Sequence, residues 1–263
     1  MTKIRAAAVQ TSPKFGDVDH NVTSGLNAIP KSCDLAVLPE LFSTGYQFRS
    51  RQEAWGLAEE IPTGATCVRL LAAAARLNTT IVAGLAERQG QKLFNSCILA
   101  RPDGSWERYR KIHLFWDEKT IFEPGDLGFS VHAACGTRLG LMICYDWIYP
   151  ESARTLALAG ASVLCHPSNL ILPHCPQSMI TRCVENKVFG ITANRVGSEQ
   201  RTGAALEFIG LSRIIDPGGK VLATCSREKA ETVCAELDIE LTDKQVTPRN
   251  HLWDDRRPEF YKL

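Results

Sequence analysis

Leu139-Gly140-Leu141-Met142-Ile143-Cys144-Tyr145-Asp146 is an apolar run ending in a cysteine, and Pro150-Glu151-Ser152-Ala153-Arg154-Thr155-Leu156-Ala157-Leu158-Ala159 follows within a few residues. The first reads as a buried strand, being short and almost wholly apolar. The second reads as a helix: its proline stands where a missing N–H costs least, a glutamate lies in its first turn, and Gly160 stops it. Strand followed directly by helix is the repeating unit of α/β architecture. Working outward, similar apolar runs at 4–9, 35–38, 80–85, 96–100, 162–164, 190–193, 208–215 and 233–239 predict further strands. Helical patterns span 66–77, after the Pro62-Thr63-Gly64 turn, and about 177–188. Asp216-Pro217-Gly218-Gly219 is hairpin-like, so part of the sheet is expected to be antiparallel. No repeat or linker interrupts the chain, which predicts one domain over 1–263. The charged, proline-containing stretch from about 241 to 263 is expected to lie as an arm over a surface.

The chain is long enough, and at 44% hydrophobic apolar enough, to bury a large core without staples. A formal net charge of +1 gives no electrostatic case for nucleic acid or an anionic membrane as partner. No apolar run has the length of a membrane span. The chain carries 10 cysteines, several inside apolar runs, such as Cys97 before Ile98-Leu99 and Cys165 after Val163-Leu164. Met1-Thr2-Lys3-Ile4-Arg5 leads into Ala6-Ala7-Ala8-Val9-Gln10, too short an apolar stretch for a secretory signal. Small core residues in a reducing cytoplasm are therefore the expected role of most of these thiols.

Three reactive side chains stand at the ends of predicted strands or beside apolar runs. Cys144 closes one strand where the chain turns toward a helix, a place where a nucleophile is exposed and following N–H groups can face an oxyanion. Glu40 ends Leu35-Ala36-Val37-Leu38-Pro39-Glu40, and its apolar neighbours suit a proton acceptor. Lys111 sits where Arg108-Tyr109-Arg110-Lys111 changes to the apolar Ile112-His113-Leu114-Phe115. Taken singly, each has a plainer reading: a core cysteine, a loop glutamate, a solvated basic face.

Together these segments resemble the three signatures of the nitrilase (carbon–nitrogen hydrolase) superfamily: Pro-Glu after a hydrophobic strand, Tyr-Arg-Lys-Ile-His-Leu, and Ile-Cys-Tyr-Asp, in that order. The likeness continues through Phe122-Glu123-Pro124-Gly125-Asp126, His166-Pro167-Ser168-Asn169 and Arg256-Arg257-Pro258-Glu259-Phe260-Tyr261. The resemblance implies a single-domain, four-layer α-β-β-α sandwich that needs no metal or organic cofactor. It implies that Cys144 is the nucleophile, Glu40 its general base and Lys111 the stabiliser of a tetrahedral intermediate, joined by the Tyr145 backbone N–H. Glu118 resembles the family's second glutamate, which orients substrate or shares in proton transfer. Tyr46, Trp116, Trp147 and Asn169 are candidate pocket residues, each equally readable as wall packing. The chemistry is coherent, since a free thiol of pKa ~8.5 is mostly protonated at neutral pH and needs a base.

The implied reaction is hydrolysis of a small aliphatic amide through a thioester, giving acid and ammonia with water as co-substrate. Tyr145-Asp146 after the nucleophile goes with amidase branches, whereas Glu40-Leu41-Phe42-Ser43-Thr44-Gly45-Tyr46 resembles small archaeal-type members described as nitrilases. Nitrile hydrolysis, N-carbamoyl hydrolysis and acyl transfer stay open. Two rivals lie outside the family: a papain-like pairing of Cys144 with His166, and a zinc-binding module on Cys165-His166 and His174-Cys175. The helix from Pro150 reads as apolar nearly all round, which predicts a homodimer, or a dimer of dimers, with the arm crossing onto the partner and Ala157 at the interface.

Overall fold

The computed structural model describes residues 2–261. The first half of the chain runs β1 (Lys3–Gln10), α1 (Val18–Asn27), β2 (Leu35–Val37), α2 (Arg51–Leu57), α3 (Ala65–Leu77), β3 (Thr80–Gln89), β4 (Lys92–Ala100), β5 (Trp106–Arg110) and α4 (Glu118–Ile121). The second half continues with β6 (Val131–Ala134), β7 (Thr137–Leu141), a 3-10 turn (Cys144–Ile148), α5 (Pro150–Leu158), β8 (Val163–Pro167), α6 (Cys175–Asn186) and β9 (Phe189–Ala193). It closes with β10 (Ser198–Thr202), β11 (Ala204–Glu207), β12 (Arg213–Ile215), β13 (Val221–Thr224), β14 (Glu231–Asp238), β15 (Gln245–Thr247) and β16 (Asn250–His251).

Two six-stranded sheets result, ordered β14-β1-β2-β3-β4-β5 and β13-β12-β9-β8-β7-β6. Each has a parallel centre, β1-β2-β3 in one and β7-β8-β9 in the other, with antiparallel strands outside it. The expected hairpin at Asp216–Gly219 joins β12 to β13, with Gly219 at φ +87° where other side chains are strained.

The alternation of side chains across a pleat explains the layers. Ala6, Ala8, Leu35 and Val37 point into the core shared with Leu139, Leu141, Val163 and Ile191 of the other sheet. Their neighbours Ala7, Val9, Ala36 and Leu38 point the other way, onto Val22 of α1 and Cys67, Leu70 and Ala74 of α3. A strand buried on both faces must be apolar at every position, which is why these runs show no polar alternation. On the far side, Ala153, Leu156 and Ala157 of α5 and Met179 and Cys183 of α6 cover the second sheet. The four layers are therefore helix, sheet, sheet, helix.

Several expectations need correction. Of the run 208–215, only Arg213–Ile215 forms a strand in the sheet, because the chain before it loops past Asn194 and Arg195. The helix α5 is not apolar all round: Ser152, Ala153, Leu156 and Ala157 are buried within the chain's own core, while Glu151, Thr155, Leu158 and Ala159 are exposed. Ala157 thus packs inward and cannot lie at a surface between copies. The arm is held to its own chain at first, where Lys244 donates to the carbonyls of Asn186 and Lys187 at the end of α6 and Trp253 packs on the core. Residues 262–263 of the arm fall outside the described residues. Eight of the cysteines are buried, Cys135 and Cys234 are half-buried, and all ten are free thiols.

Candidate active site

Glu40 follows β2, Lys111 follows β5 and Cys144 follows β7, at like ends of their strands. β5 runs in the same sense as β2, being antiparallel to β4, which is antiparallel to β3. The topology therefore delivers Glu40 and Lys111 to one end of the first sheet. Lys111 Nζ donates to Glu40 Oε1 at 2.7 Å and to Glu118 Oε1 and Oε2 at 2.7 Å each. All three groups are almost wholly buried, so an ammonium is enclosed between two carboxylates out of water. Burial works hardest against the Lys111 charge, but the carboxylates of Glu118 and Glu40 outweigh it and push its pKa up. For Glu118 burial is the larger effect, and its carboxyl is raised to about 6 despite Lys111.

Glu40 is fixed from two sides. Asn95 Nδ2 donates to Oε1 at 2.7 Å, while Oε2 is buried with no hydrogen-bond partner among the described residues. An unpartnered carboxylate oxygen is a ready proton acceptor. Gly84 of β3 runs directly beneath, where a Cβ would sit 2.5 Å from Glu40 Cα, so only glycine permits this approach.

Cys144 opens the 3-10 turn at φ +39°, a strained value for a non-glycine residue of the kind found at nucleophile turns. Burial, then the Glu40 charge, push its thiol well above the usual range; Lys111 and the Asn169 backbone N–H pull the other way. The resting group is a neutral thiol that needs a base. The turn is held by Asp146, whose Oδ2 accepts from Ile143 N at 2.8 Å and from the Tyr109 hydroxyl at 2.8 Å. Its Oδ1 accepts from His113 Nδ1 at 2.7 Å. Tyr109 and His113 flank Lys111, so one buried carboxylate ties the cysteine turn of the second sheet to the lysine end of the first.

Two recesses flank this cluster. Cys144, Tyr145, Trp147, Asn169 and Phe115 line one of about 220 Å³. Tyr46, Trp116 and Glu118 line a second of about 470 Å³, which Cys144 does not reach. The smaller recess is the one that Cys144 lines. Tyr46 donates its hydroxyl to Glu118 Oε1 at 2.7 Å, Trp147 is buried, and Trp116 stands at the rim with 55% of its surface exposed. In the sequence Asn95, Tyr109 and His113 had no assigned role, and Asp146 only a place in a motif. Asn95 had a signal, a lone amide in an apolar strand; Tyr109 and His113 lay inside a segment read only for its lysine.

His166 does not face the thiol as a proton shuttle would. Its Nε2 donates to the Cys144 carbonyl oxygen at 2.8 Å, its Nδ1 lies 3.0 Å from Thr192 Oγ1, and burial lowers its pKa to about 4. The ring is a neutral strut behind Cys144. Cys165 and Cys175 are core residues, and among the described residues no three histidine, cysteine or acidic side chains gather as metal ligands.

Comparison with known proteins agrees with this fold. Residues 5–245 match the family model for carbon–nitrogen hydrolase. A protein named nitrilase from Pyrococcus abyssi (strain GE5 / Orsay) is 44% identical, the alignment covering 98% of this chain and 99% of that one. An (R)-stereoselective amidase from a Pseudomonas species is 35% identical over 94% of this chain and 90% of its own. The crystal structure of a carbon–nitrogen hydrolase from Helicobacter pylori G27 superposes with a TM-score of 0.89 at 28% identity, covering 98% of this chain and 97% of that one. Signatures, layers and relatives converge: this chain belongs to the carbon–nitrogen hydrolase family and is a hydrolase of carbon–nitrogen bonds other than peptide bonds.

Proposed function

We propose that the protein hydrolyses small aliphatic amides to a carboxylic acid and ammonia through a Cys144 thioester. The observation that carries the reading is the buried Lys111 ammonium bonded to both Glu40 and Glu118, beside a neutral thiol on a strained turn. Glu40 Oε2 accepts the Cys144 proton as the sulfur bonds to the amide carbon. The carbonyl oxygen takes up the negative charge, opposite Lys111 and the Tyr145 backbone N–H. Collapse breaks the C–N bond, and ammonia leaves with the proton from Glu40. Water then attacks the thioester and gives its proton to Glu40, and as the C–S bond breaks Glu40 returns that proton to the sulfur and the thiol is restored. Glu118 keeps Lys111 charged and placed, and Tyr46 holds Glu118.

Tyr145-Asp146 supports amides over nitriles. A specific finding supports the second reading: the relative at 44% identity is named nitrilase. On a nitrile the same thiolate gives a thioimidate, which water converts to acid and ammonia. In this reading the protein works as a homodimer in the cytoplasm, a reducing compartment that suits ten free thiols. Among the described residues no helix is long and apolar enough to cross a membrane.

A panel of small amides, carbamoyl compounds and nitriles assayed for ammonia, with acid and amide products separated and added amines as competing acceptors, decides among substrates. Cys144→Ala is expected to fold and to lose turnover. Glu40→Gln and Lys111→Ala should each lower kcat by ~10²–10⁴-fold, the double variant being little worse than either. Near-wild-type kcat in either single variant refutes the assignment.

A further inference from the structure

The recess beside Cys144 contains a polar group that the hydrolytic steps leave unused. Asn169 is 3% exposed, and neither its Nδ2 nor its Oδ1 has a partner among the described residues. Because both atoms are free, the conclusion does not depend on which is nitrogen and which oxygen. A buried carboxamide with no hydrogen bonds is unfavourable, and an apolar side chain of the same size would pack there at less cost. The surrounding loop does satisfy its polar groups: Ser168 Oγ bonds with His166, Leu170 N donates to Asn194 Oδ1 at 2.8 Å, and Asn194 Nδ2 donates to Gly210 O at 2.7 Å. Asn169 is thus held firmly on both sides, with its own backbone N–H turned to the Cys144 sulfur.

The rest of that recess is mostly apolar, with Phe115, Trp147, Leu170 and Leu172 among its walls, and its volume of about 220 Å³ suits a short chain. In the hydrolytic reading the reacting oxygen and nitrogen already have partners in Lys111, the Tyr145 N–H and the glutamates. What remains for Asn169 is the acyl part of the substrate. We infer that Asn169 is a specificity-determining residue whose carboxamide pairs with a second hydrogen-bonding group on the acyl chain, so that preferred substrates are short amides bearing a hydroxyl or second carboxamide within two carbons of the scissile carbon. A side chain offering one donor and one acceptor matches such groups and leaves an alkyl chain with its polar atoms unpaired. This rests on the hydrolytic reading above.

The test uses matched pairs, propionamide with 2-hydroxypropionamide and butyramide with malonamide, in wild type and in Asn169→Leu, with Asn169→Ala as the smaller second variant. Comparing the change within each pair between proteins cancels the intrinsic reactivity of the substrates. Asn169→Leu should lower kcat/KM for the polar member by about tenfold or more while leaving or raising that of the alkyl member. It should also melt no lower than wild type, because it removes an unpaired buried amide. Equal losses for both members, or a lowered melting temperature with the preference intact, overturn the proposal in favour of a structural role. If wild type turns over no amide, the hydrolytic reading fails separately. The affinities of the same pairs for Cys144→Ala, with and without Asn169→Leu, then decide the role of Asn169: a polar preference lost with leucine upholds it, and no such preference sinks it.

Discussion

Among ten cysteines, burial alone does not single out Cys144, since it pushes the thiols of Cys33 to about 11 and Cys135 and Cys225 to about 12 as well. What differs is company: only near Cys144 do Glu40, Lys111 and Glu118 all act on the sulfur. That company was legible through motif order, whereas the direction each side chain takes was not. His166 illustrates the gap, because position after an apolar strand fits a shuttle as well as a strut. A strut predicts that His166→Gln, which still carries a donor for the Cys144 carbonyl, keeps most of kcat. It also fixes a sign for stability. The folded ring titrates at about 4, below its ordinary 6.5, so between those values the unfolded chain binds a proton that the fold refuses. Stability from this group is full above pH 6.5 and is lost as pH falls toward 4, by about 3 kcal/mol. Denaturant midpoints of His166→Gln should therefore fall less over that window than those of wild type. Glu118 sets a second titration. With its carboxyl raised to about 6 by burial, protonation below that pH removes one of the two charges holding Lys111, leaving the lysine to Glu40 alone and weakening Glu40 as a base. The pH profile of kcat/KM should show an acid limb near 6 that vanishes in Glu118→Gln; an unchanged limb in that variant contradicts the assignment.

The central strands were readable because each is buried on both faces and so is apolar throughout. The helices α1 and α2 were not, since α1 carries Asp19, His20 and Asn21 in its first turns and α2 spans only Arg51–Leu57, too little for a periodic signal. Still less readable was the way the elements are locked together. Asp146 looked like part of a motif after the nucleophile, yet it accepts from Ile143, Tyr109 and His113 and so joins the 3-10 turn to the end of β5. No local pattern can announce a bond between residues so far apart in the chain. Asp146→Asn keeps the shape but replaces one acceptor oxygen with a donor, so either the Ile143 or the His113 backbone N–H loses its acceptor and faces a second donor. The expected result is a loss of about 10²-fold in kcat from misplacement of Cys144 relative to Lys111, together with about 1–3 kcal/mol of stability. Tyr109→Phe, which removes the bond to Asp146 and the one its hydroxyl accepts from Ile112 N, should give a smaller loss in the same direction. Full activity in Asp146→Asn, measured by steady-state kinetics, would show that the turn holds itself.

At the scale of the whole molecule, β14 returns from the end of the chain to pair with β1 along its length, closing the first sheet at one edge. Such pairings were beyond the sequence, because any apolar strand satisfies any neighbour equally well. Assembly was anticipated from a faulty premise, and the corrected geometry gives a better test of it. Ala157 is buried in its own core, so Ala157→Arg would unfold the chain and say nothing about partners. The outer surface of the α5–α6 layer instead exposes Ile148 at 38%, Leu158 at 44% and Val184 at 46% of their surfaces, on elements that pack against one another. Exposed apolar side chains on an outer layer are better covered than wet, and two-fold pairing of that layer with its own copy would cover both at once. The turn bearing Cys144 leads into α5 through Tyr149 and Pro150, so a partner that steadied α5 would also steady Cys144. Leu158→Glu combined with Val184→Glu leaves the core untouched and would bury charges in such an interface. Sedimentation velocity is expected to show dimers for wild type and monomers for this variant, with unchanged far-ultraviolet circular dichroism and lower kcat. A wild-type protein that sediments as a fully active monomer at nanomolar concentration would remove the dimer, and with it any role for that face in catalysis.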